Sequence, residues 1–265
     1  DTLINRAAGT YAVEVTDANG CVAVDTITLT QPPALTISTN VNPVACFGDN
    51  TGSVTVTVSG GVNGYSYLWS SGATTSSVNN LTAGNYSVTV IDANGCTATA
   101  NSVVSQPNAL IVALNTVPAS CNGLANGSAT VSAQGGVATY HYSWSPGGST
   151  SQNVNNLAAG RYRITIDDAH GCVISDSVLI TQPAPITATS NTQPATCGVA
   201  NGSATMLAQG GTPGAGYQYT WSPGGATGSS VSGLMAGTYN VTVTDQNGCA
   251  GVFLATVGNS GAPVV

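Results

Sequence analysis

The sequence predicts an all-β chain of tandem immunoglobulin-like β-sandwich repeats forming an elongated rod. Three observations carry that expectation. The 265 residues hold no Lys and a single Glu, Glu14, so two strong helix formers are nearly absent, while Thr, Val, Ser, Asn and 33 Gly fill their place. Apolar and polar residues alternate with period two, as in Val54-Thr-Val-Thr-Val58 and Tyr86-Ser-Val-Thr-Val90, which marks half-buried strands. Landmark residues also recur at a nearly constant interval, the signature of a repeat architecture.

The cysteines set that interval. Cys21, Cys96, Cys172 and Cys249 are 75, 76 and 77 residues apart, and Cys46, Cys121 and Cys197 are 75 and 76 apart. Trp69, Trp144 and Trp221 keep the same beat, as do Tyr11, Tyr86, Tyr162 and Tyr239. The expected organisation is the C-terminal half of a truncated repeat over 1–33, then repeats over 34–108, 109–184 and 185–265, the last including the start of a further linker. The chain opens mid-pattern and without a leader peptide, so a segment of a longer protein is expected.

Each unit has room for six or seven short strands, as an immunoglobulin-like sandwich requires. Trp69, Trp144 and Trp221 lie on a Tyr-x-Tyr-x-Trp strand and are assigned to the core. Tyr86, Tyr162 and Tyr239 follow Leu-x-Ala-Gly-x and are assigned as corner tyrosines entering a late strand. Asn19-Gly20, Asn94-Gly95 and Asn247-Gly248 separate strand-like runs and are expected to make two-residue hairpin turns with φ > 0 at both positions. Gln-Pro at 31–32, 106–107 and 182–183 closes one unit and stiffens the link to the next.

Little in the composition supports chemistry. A formal charge of −7 repels phosphate backbones, which argues against nucleic acid, and the acids are dispersed as a solubility feature. No stretch approaches the roughly 20 apolar residues of a membrane span, so no membrane insertion is expected in this segment. His141 and His170 replace Ser or Asn of sister units. No triad order, nucleophile elbow, paired-acid motif, CxxC or HExxH occurs, so no catalytic residue, cofactor or metal site is assigned. Asp17-x-Asn19, Asp92-x-Asn94 and Asp245-x-Asn247 offer oxygens at alternate positions, as calcium loops do. Each supplies one carboxylate only, and the turn reading is preferred.

The regular Cys spacing points to structural disulfides and an oxidising, extracellular setting. Three pairings fit the numbers. Within-unit pairs are Cys46–Cys96, Cys121–Cys172 and Cys197–Cys249, with Cys21 pairing outside the segment. A staggered scheme gives Cys46–Cys172 and Cys121–Cys249. A third uses the constant 25-residue spacing, across two extended strands. The within-unit scheme is favoured if the unit has six strands, because a seven-strand sandwich puts the first turn and last hairpin at opposite ends.

The motifs Gly60-Gly61, Tyr65-Ser-Tyr67-Leu-Trp69-Ser, Asn80-Leu-Thr-Ala-Gly84-Asn-Tyr86-Ser-Val-Thr-Val90 and Asp92-Ala-Asn-Gly-Cys96 resemble the SprB repeat, and the match recurs in every unit. That family builds large cell-surface adhesins of gliding and related Bacteroidota. The resemblance implies export by type IX secretion and a role in adhesion or gliding motility. It also implies an O-glycosylation signal of Asp-Ser/Thr-apolar type, met at Asp25-Thr26-Ile27, Asp176-Ser177-Val178 and Asp1-Thr2-Leu3, with Thr26 and Ser177 the candidate sites. The expected function is a non-catalytic stalk or spacer of an adhesin. Its partners are the neighbouring repeats of the same long chain, with lateral self-association or cell-surface proteins beyond them. The rival readings are a carbohydrate- or ligand-binding module with Tyr65 and Tyr67 as an aromatic platform, and a subunit of an extracellular filament or sheath.

Overall fold

The structure is a computed structural model that describes residues 2–261. Two compact units divide it, residues 1–109 and 110–265. The chain opens with β1 (Gly9–Thr16) and β2 (Val22–Leu29), an antiparallel hairpin. The first complete repeat follows as β3 (Thr36–Asn42), β4 (Gly52–Ser59), β5 (Ser66–Trp69), β6 (Ser77–Leu81), β7 (Gly84–Ile91) and β8 (Thr97–Val104). The second is β9 (Ile111–Val117), β10 (Gly127–Gln134), β11 (His141–Ser145), β12 (Asn153–Leu157), β13 (Gly160–Asp167) and β14 (Val173–Ile180). The third is β15 (Thr187–Gln193), β16 (Ala195–Thr196), β17 (Gly202–Gln209), β18 (Gln218–Ser222), β19 (Ser230–Leu234), β20 (Gly237–Thr244), β21 (Ala250–Val257) and β22 (Asn259–Ser260). Among the described residues there is no helix.

Every complete repeat is the same sandwich. In the first, sheet β3-β4-β6 faces sheet β5-β7-β8. Period-two alternation decides which side chains meet between them: β4 buries Val54 and Val56, β7 buries Val88 and Val90. Trp69 closes the core from β5 and is 2% exposed. Its indole N–H donates to the Thr75 carbonyl at 2.8 Å, so the one polar atom of this large side chain is satisfied. Trp144 and Trp221 donate in the same way to Ser151 and Gly228, both at 2.9 Å.

These indole bonds organise the stretch between the second-sheet strand and β6. Residues 70–76 turn back at once, with Gly72 N–H on the Trp69 carbonyl and Trp69 N–H on the Ala73 carbonyl, and cross to the other sheet, where Val56 N–H binds the Ser76 carbonyl. Strand β6 then runs antiparallel to β4. The unit therefore has six principal strands but the direction count of seven.

The corner tyrosines each bond back to the chain that precedes their strand. The hydroxyls of Tyr86, Tyr162 and Tyr239 donate four residues back, to the carbonyls of Thr82, Ala158 and Met235, at 3.0, 3.1 and 3.0 Å. The hairpin turns differ from the expectation. Gly95 has φ +82°, whereas Asn94 does not have positive φ, and strand pairing stops at Ile91 and Thr97. The connection is a three-residue loop inside an Asp92 N–H···Cys96 carbonyl pair, with only the glycine left-handed.

One core position is mismatched. Ser102 on β8 is buried, and its hydroxyl has no hydrogen-bond partner; Ala255 fills the corresponding place in the third repeat. A buried hydroxyl without a partner costs about 1–3 kcal/mol, so Ser102→Ala should stabilise the first repeat by about 1 kcal/mol. Urea unfolding of the two chains reads this directly, and a loss of stability would show that the hydroxyl is satisfied.

Candidate functional site at the junction between repeats

The Asp, the Gly-Gly pair and the hairpin Cys that the complete repeats share meet at one end of each sandwich. Asp92 ends β7 and is buried. Its Oδ1 accepts the N–H groups of Asn94 and Cys96 at 2.9 and 2.8 Å, and its Oδ2 accepts Val62 N–H at 2.9 Å. One carboxylate thus ties the last hairpin to the Gly-Gly loop that precedes the tyrosine strand. Asp168 binds His170, Cys172 and Val137 in the same way, and Asp245 binds Asn247, Cys249 and Thr212. The second glycine of the pair is required here. Gly61 has φ +63°, and a Cβ on it would lie 2.8 Å from Asp92 Oδ2.

Hydrogen bonding holds the Asp92 and Asp168 carboxyls in the charged form. The Asp92 pKa lies below its ordinary value, first because Val62 N–H binds the carboxylate, with Cys96 and Asn94 adding to it against the cost of burial. At Asp168 burial pushes upward, but the N–H groups of Val137, Cys172 and His170 outweigh it and the pKa again falls. The carboxylate oxygens that a calcium loop would present are committed to backbone donors. No group of three or more His, Cys, Asp or Glu able to hold a metal occurs among the described residues.

The tyrosines of the predicted aromatic platform are engaged in the same place. Tyr65 OH donates to the Gly60 carbonyl at 2.7 Å, and Tyr65 and Tyr67 are half-buried against the first core. Tyr140 and Tyr217 repeat that bond to Gly135 and Gly210. The two histidines are unrelated: His141 Nδ1 lies 3.1 Å from Asp167 Oδ2 on an exposed strand, and His170 sits in the hairpin loop. The Thr26 and Ser177 hydroxyls are on exposed faces of β2 and β14, each with its backbone N–H on the preceding Asp; Asp1 lies outside the described residues.

Cys249, which follows the tied Asp245, faces the second repeat. Cys249 is bonded to Cys121, 128 positions earlier in sequence, with Cα atoms 5.6 Å apart. Asn247 adds a bond from its side-chain amide to the Ser120 carbonyl at 3.1 Å. Beneath the disulfide, between the second and third repeats, lies a 490 Å³ cleft lined by Leu124, Pro185, Ile186 and Gly211 among others. The Cys121 turn is held on its own repeat by Gly123 N–H to Gln182 Oε1 at 2.8 Å, so the Gln of Gln-Pro braces it; Gln106 braces Gly48 identically.

The within-unit pairing is therefore overturned. Cys121 is joined to Cys249 and not to Cys172; Cys96 and Cys197 are exposed free thiols, as is Cys21; and neither Cys46 nor Cys172 is free. The reason is the direction count described above. Ala119 N–H binds the Thr181 carbonyl, which places the Cys121 turn at the far end of β14, while Cys172 lies just before its start. Eight strand residues separate them by about 26 Å, against the roughly 7 Å that a disulfide tolerates.

Residues 38–74, 113–149 and 189–226 each match the family model described as SprB repeat. The chain carries three SprB repeats. Solved structures of tandem immunoglobulin domains resemble it at low identity. Sidekick-1 immunoglobulin domains 1–5 are 15% identical with a TM-score of 0.38, covering 95% of this chain and 67% of that one. A structure on Dscam isoform specificity is 13% identical with a TM-score of 0.26, covering 96% and 80%. Dpr2 Ig1–Ig2 in complex with DIP-Theta is 8% identical with a TM-score of 0.26, covering 82% and 95%. No curated protein sequence matches the SprB-repeat chain.

The tied carboxylates set an acid limit. The folded pKa values of Asp92 and Asp168 are depressed, so their contribution is complete above the unfolded value of 3.8 and is lost as pH falls through the folded values. Thermal midpoints should stay level on acidification to about pH 4 and then fall. Asp168→Asn, which removes the Oδ2 acceptor for Val137, should flatten that limb; an unchanged limb would mean that other groups set it.

Proposed function

We propose that this SprB array is a stalk or spacer segment of a secreted bacterial cell-surface adhesin, exported by type IX secretion and serving adhesion or gliding-type motility without catalysis. The SprB repeats and the Cys121–Cys249 bond support a cell-surface repeat segment. The observation that favours a spacer is what the repeats share. The indole bond, the corner tyrosine, the tied Asp and the Gly-Gly loop all have structural partners within the repeat. The loops that vary, such as Val62-Asn-Gly64 against Thr212-Pro-Gly-Ala-Gly216, present no common chemistry to a ligand. A spacer needs to repeat only its scaffold. Its partners are the neighbouring repeats. A filament or sheath is favoured by exposed apolar residues on outer strands, such as Val103, Leu179 and Leu254.

Pulling the chain by its ends tests the mechanical reading. While oxidised, the stretch between Cys121 and Cys249 cannot extend. Reduction should release up to about 450 Å of contour, at roughly 3.5 Å per residue over a sequence separation of 128. Saturable binding of a glycan by the full chain would sink the spacer reading in favour of a binding module.

Thr26 and Ser177 are proposed as O-glycosylation sites, because both hydroxyls are exposed beside an Asp. Intact mass of native material should show added hexose, and an unmodified mass would remove the proposal.

A further inference from the structure

Asn-Gly occurs seven times in the chain, and the fold treats the pairs unequally. An asparagine side chain can bring its amide carbon onto the backbone nitrogen of the next residue, and a glycine there has no Cβ to hinder the approach. The approach is blocked when the glycine N–H is spent in a hydrogen bond, or when the asparagine amide is held elsewhere. Six of the pairs are blocked in one or both of these ways. Gly20 and Gly95 donate to the Asp17 and Asp92 carbonyls, both at 3.0 Å, and Gly248 donates to the Asp245 carbonyl at 3.1 Å. Asn247 is also held by its side-chain amide, on the Ser120 carbonyl and the Thr212 hydroxyl.

The cysteine turns hold the rest. Gly123 N–H is on Gln182 Oε1 at 2.8 Å, and the Asn122 amide donates to the Pro183 carbonyl at 3.1 Å. Asn126 accepts the Ser120 N–H and donates to the Ser120 hydroxyl, and Asn201 does the same with Thr196. Asn63-Gly64 is the exception. It forms the tip of the Gly-Gly loop of the first repeat, between ends that are pinned. Val62 donates its N–H to Asp92 Oδ2 and accepts Ala93 N–H at 3.2 Å, while the Tyr65 hydroxyl is on the Gly60 carbonyl. Both residues of the tip are exposed, and among the described residues neither the Asn63 amide nor the Gly64 N–H has a hydrogen-bond partner. In the third repeat, which follows a complete repeat within one compact unit, residues 213–216 of the same tip are exposed as well, so a preceding repeat leaves this position open.

We propose that Asn63 is a site of non-enzymatic covalent modification, converted through a cyclic imide to aspartate and isoaspartate. The Gly64 nitrogen loses its proton and bonds to Asn63 Cγ. The bond from Cγ to the side-chain nitrogen breaks, and ammonia leaves with the proton. Water then adds to one of the imide carbonyls and opens the ring. Opening on one side gives aspartate. Opening on the other gives isoaspartate, in which the main chain runs through the former side chain and gains a methylene. Water is the only co-reactant, so the product accumulates with the age of the chain. Either product sets a new carboxylate in the loop that Asp92 ties, and isoaspartate lengthens that loop between its pinned ends. The second and third repeats have no Asn at the tip, which carries Ala138-Thr139 in one and Pro-Gly-Ala-Gly over 213–216 in the other. The change therefore falls on the first repeat.

The test ages the folded full chain in mildly alkaline buffer and follows each Asn-Gly peptide by mass spectrometry, with isoaspartate read by enzymatic methyl transfer. Asn63 should convert first, at least about tenfold faster than Asn126, Asn201 and Asn247, because two or more hydrogen bonds must break at each of those before the nitrogen can attack. A parallel sample in urea separates structure from sequence. There the seven pairs should convert at similar rates, and Asn63 should be the one whose rate folding leaves unchanged. Asn63→Gln, whose longer side chain closes a ring far more slowly, should remove the signal from the loop without disturbing the fold, since the side chain is exposed. Three results overturn the proposal: an intact Asn63 while a held pair converts, equal rates at all pairs in the folded chain, or a rate at Asn63 that folding slows as much as it slows Asn247.

Discussion

The carboxylate at the end of the penultimate strand is the constraint on which each repeat depends. Asp92, Asp168 and Asp245 each collect three backbone N–H groups that burial would otherwise leave without water. Two belong to the hairpin and one to the Gly-Gly loop, so a single charge joins two connections that are about thirty residues apart in sequence. It also fixes the direction in which the following Cys leaves the sandwich. Nearby in each repeat, a tyrosine hydroxyl binds the first Gly carbonyl and closes the same loop from the other side.

The opposite end of the sandwich is organised by tryptophan. Its indole fills the core and its N–H captures the return segment. That capture lets a small unit change sheets within a few residues. It also sends the first turn and the last hairpin to opposite ends, so that Cys121 bonds to the third repeat and not to Cys172 of its own. Closing a loop of 128 residues is worth about 5 kcal/mol on the chain-entropy model. For domains of this size such a contribution is comparable with what the core alone supplies.

The repeat period, the strand alternation, the core Trp and the corner Tyr were legible in the sequence because each is a local pattern that recurs in register. The cysteine partners were not. Their pairing depends on whether residues 70–76 count as a strand, and that stretch crosses the sandwich as a loop held by a side chain. Asn94-Gly95 suggested a two-residue turn, yet the tied carboxylate holds the longer loop and leaves only the glycine left-handed. The role of Asp was overlooked although a signal was present. In the second repeat His170 replaces Asn while Asp168 persists, so the carboxylate and not the amide was the shared element. The donors on its far oxygen come from a loop distant in sequence, which no local pattern reveals.

The stagger of Cys121–Cys249 has a consequence for covalent integrity. Every peptide bond from Asn122 to Gly248 lies inside the ring that this disulfide closes, including the linker between the second and third repeats at Pro183–Pro185. A protease that cuts once within that ring opens it without separating the two ends of the chain. A surface appendage built this way tolerates a nick at its most accessible connection and still holds together, provided its surroundings remain oxidising.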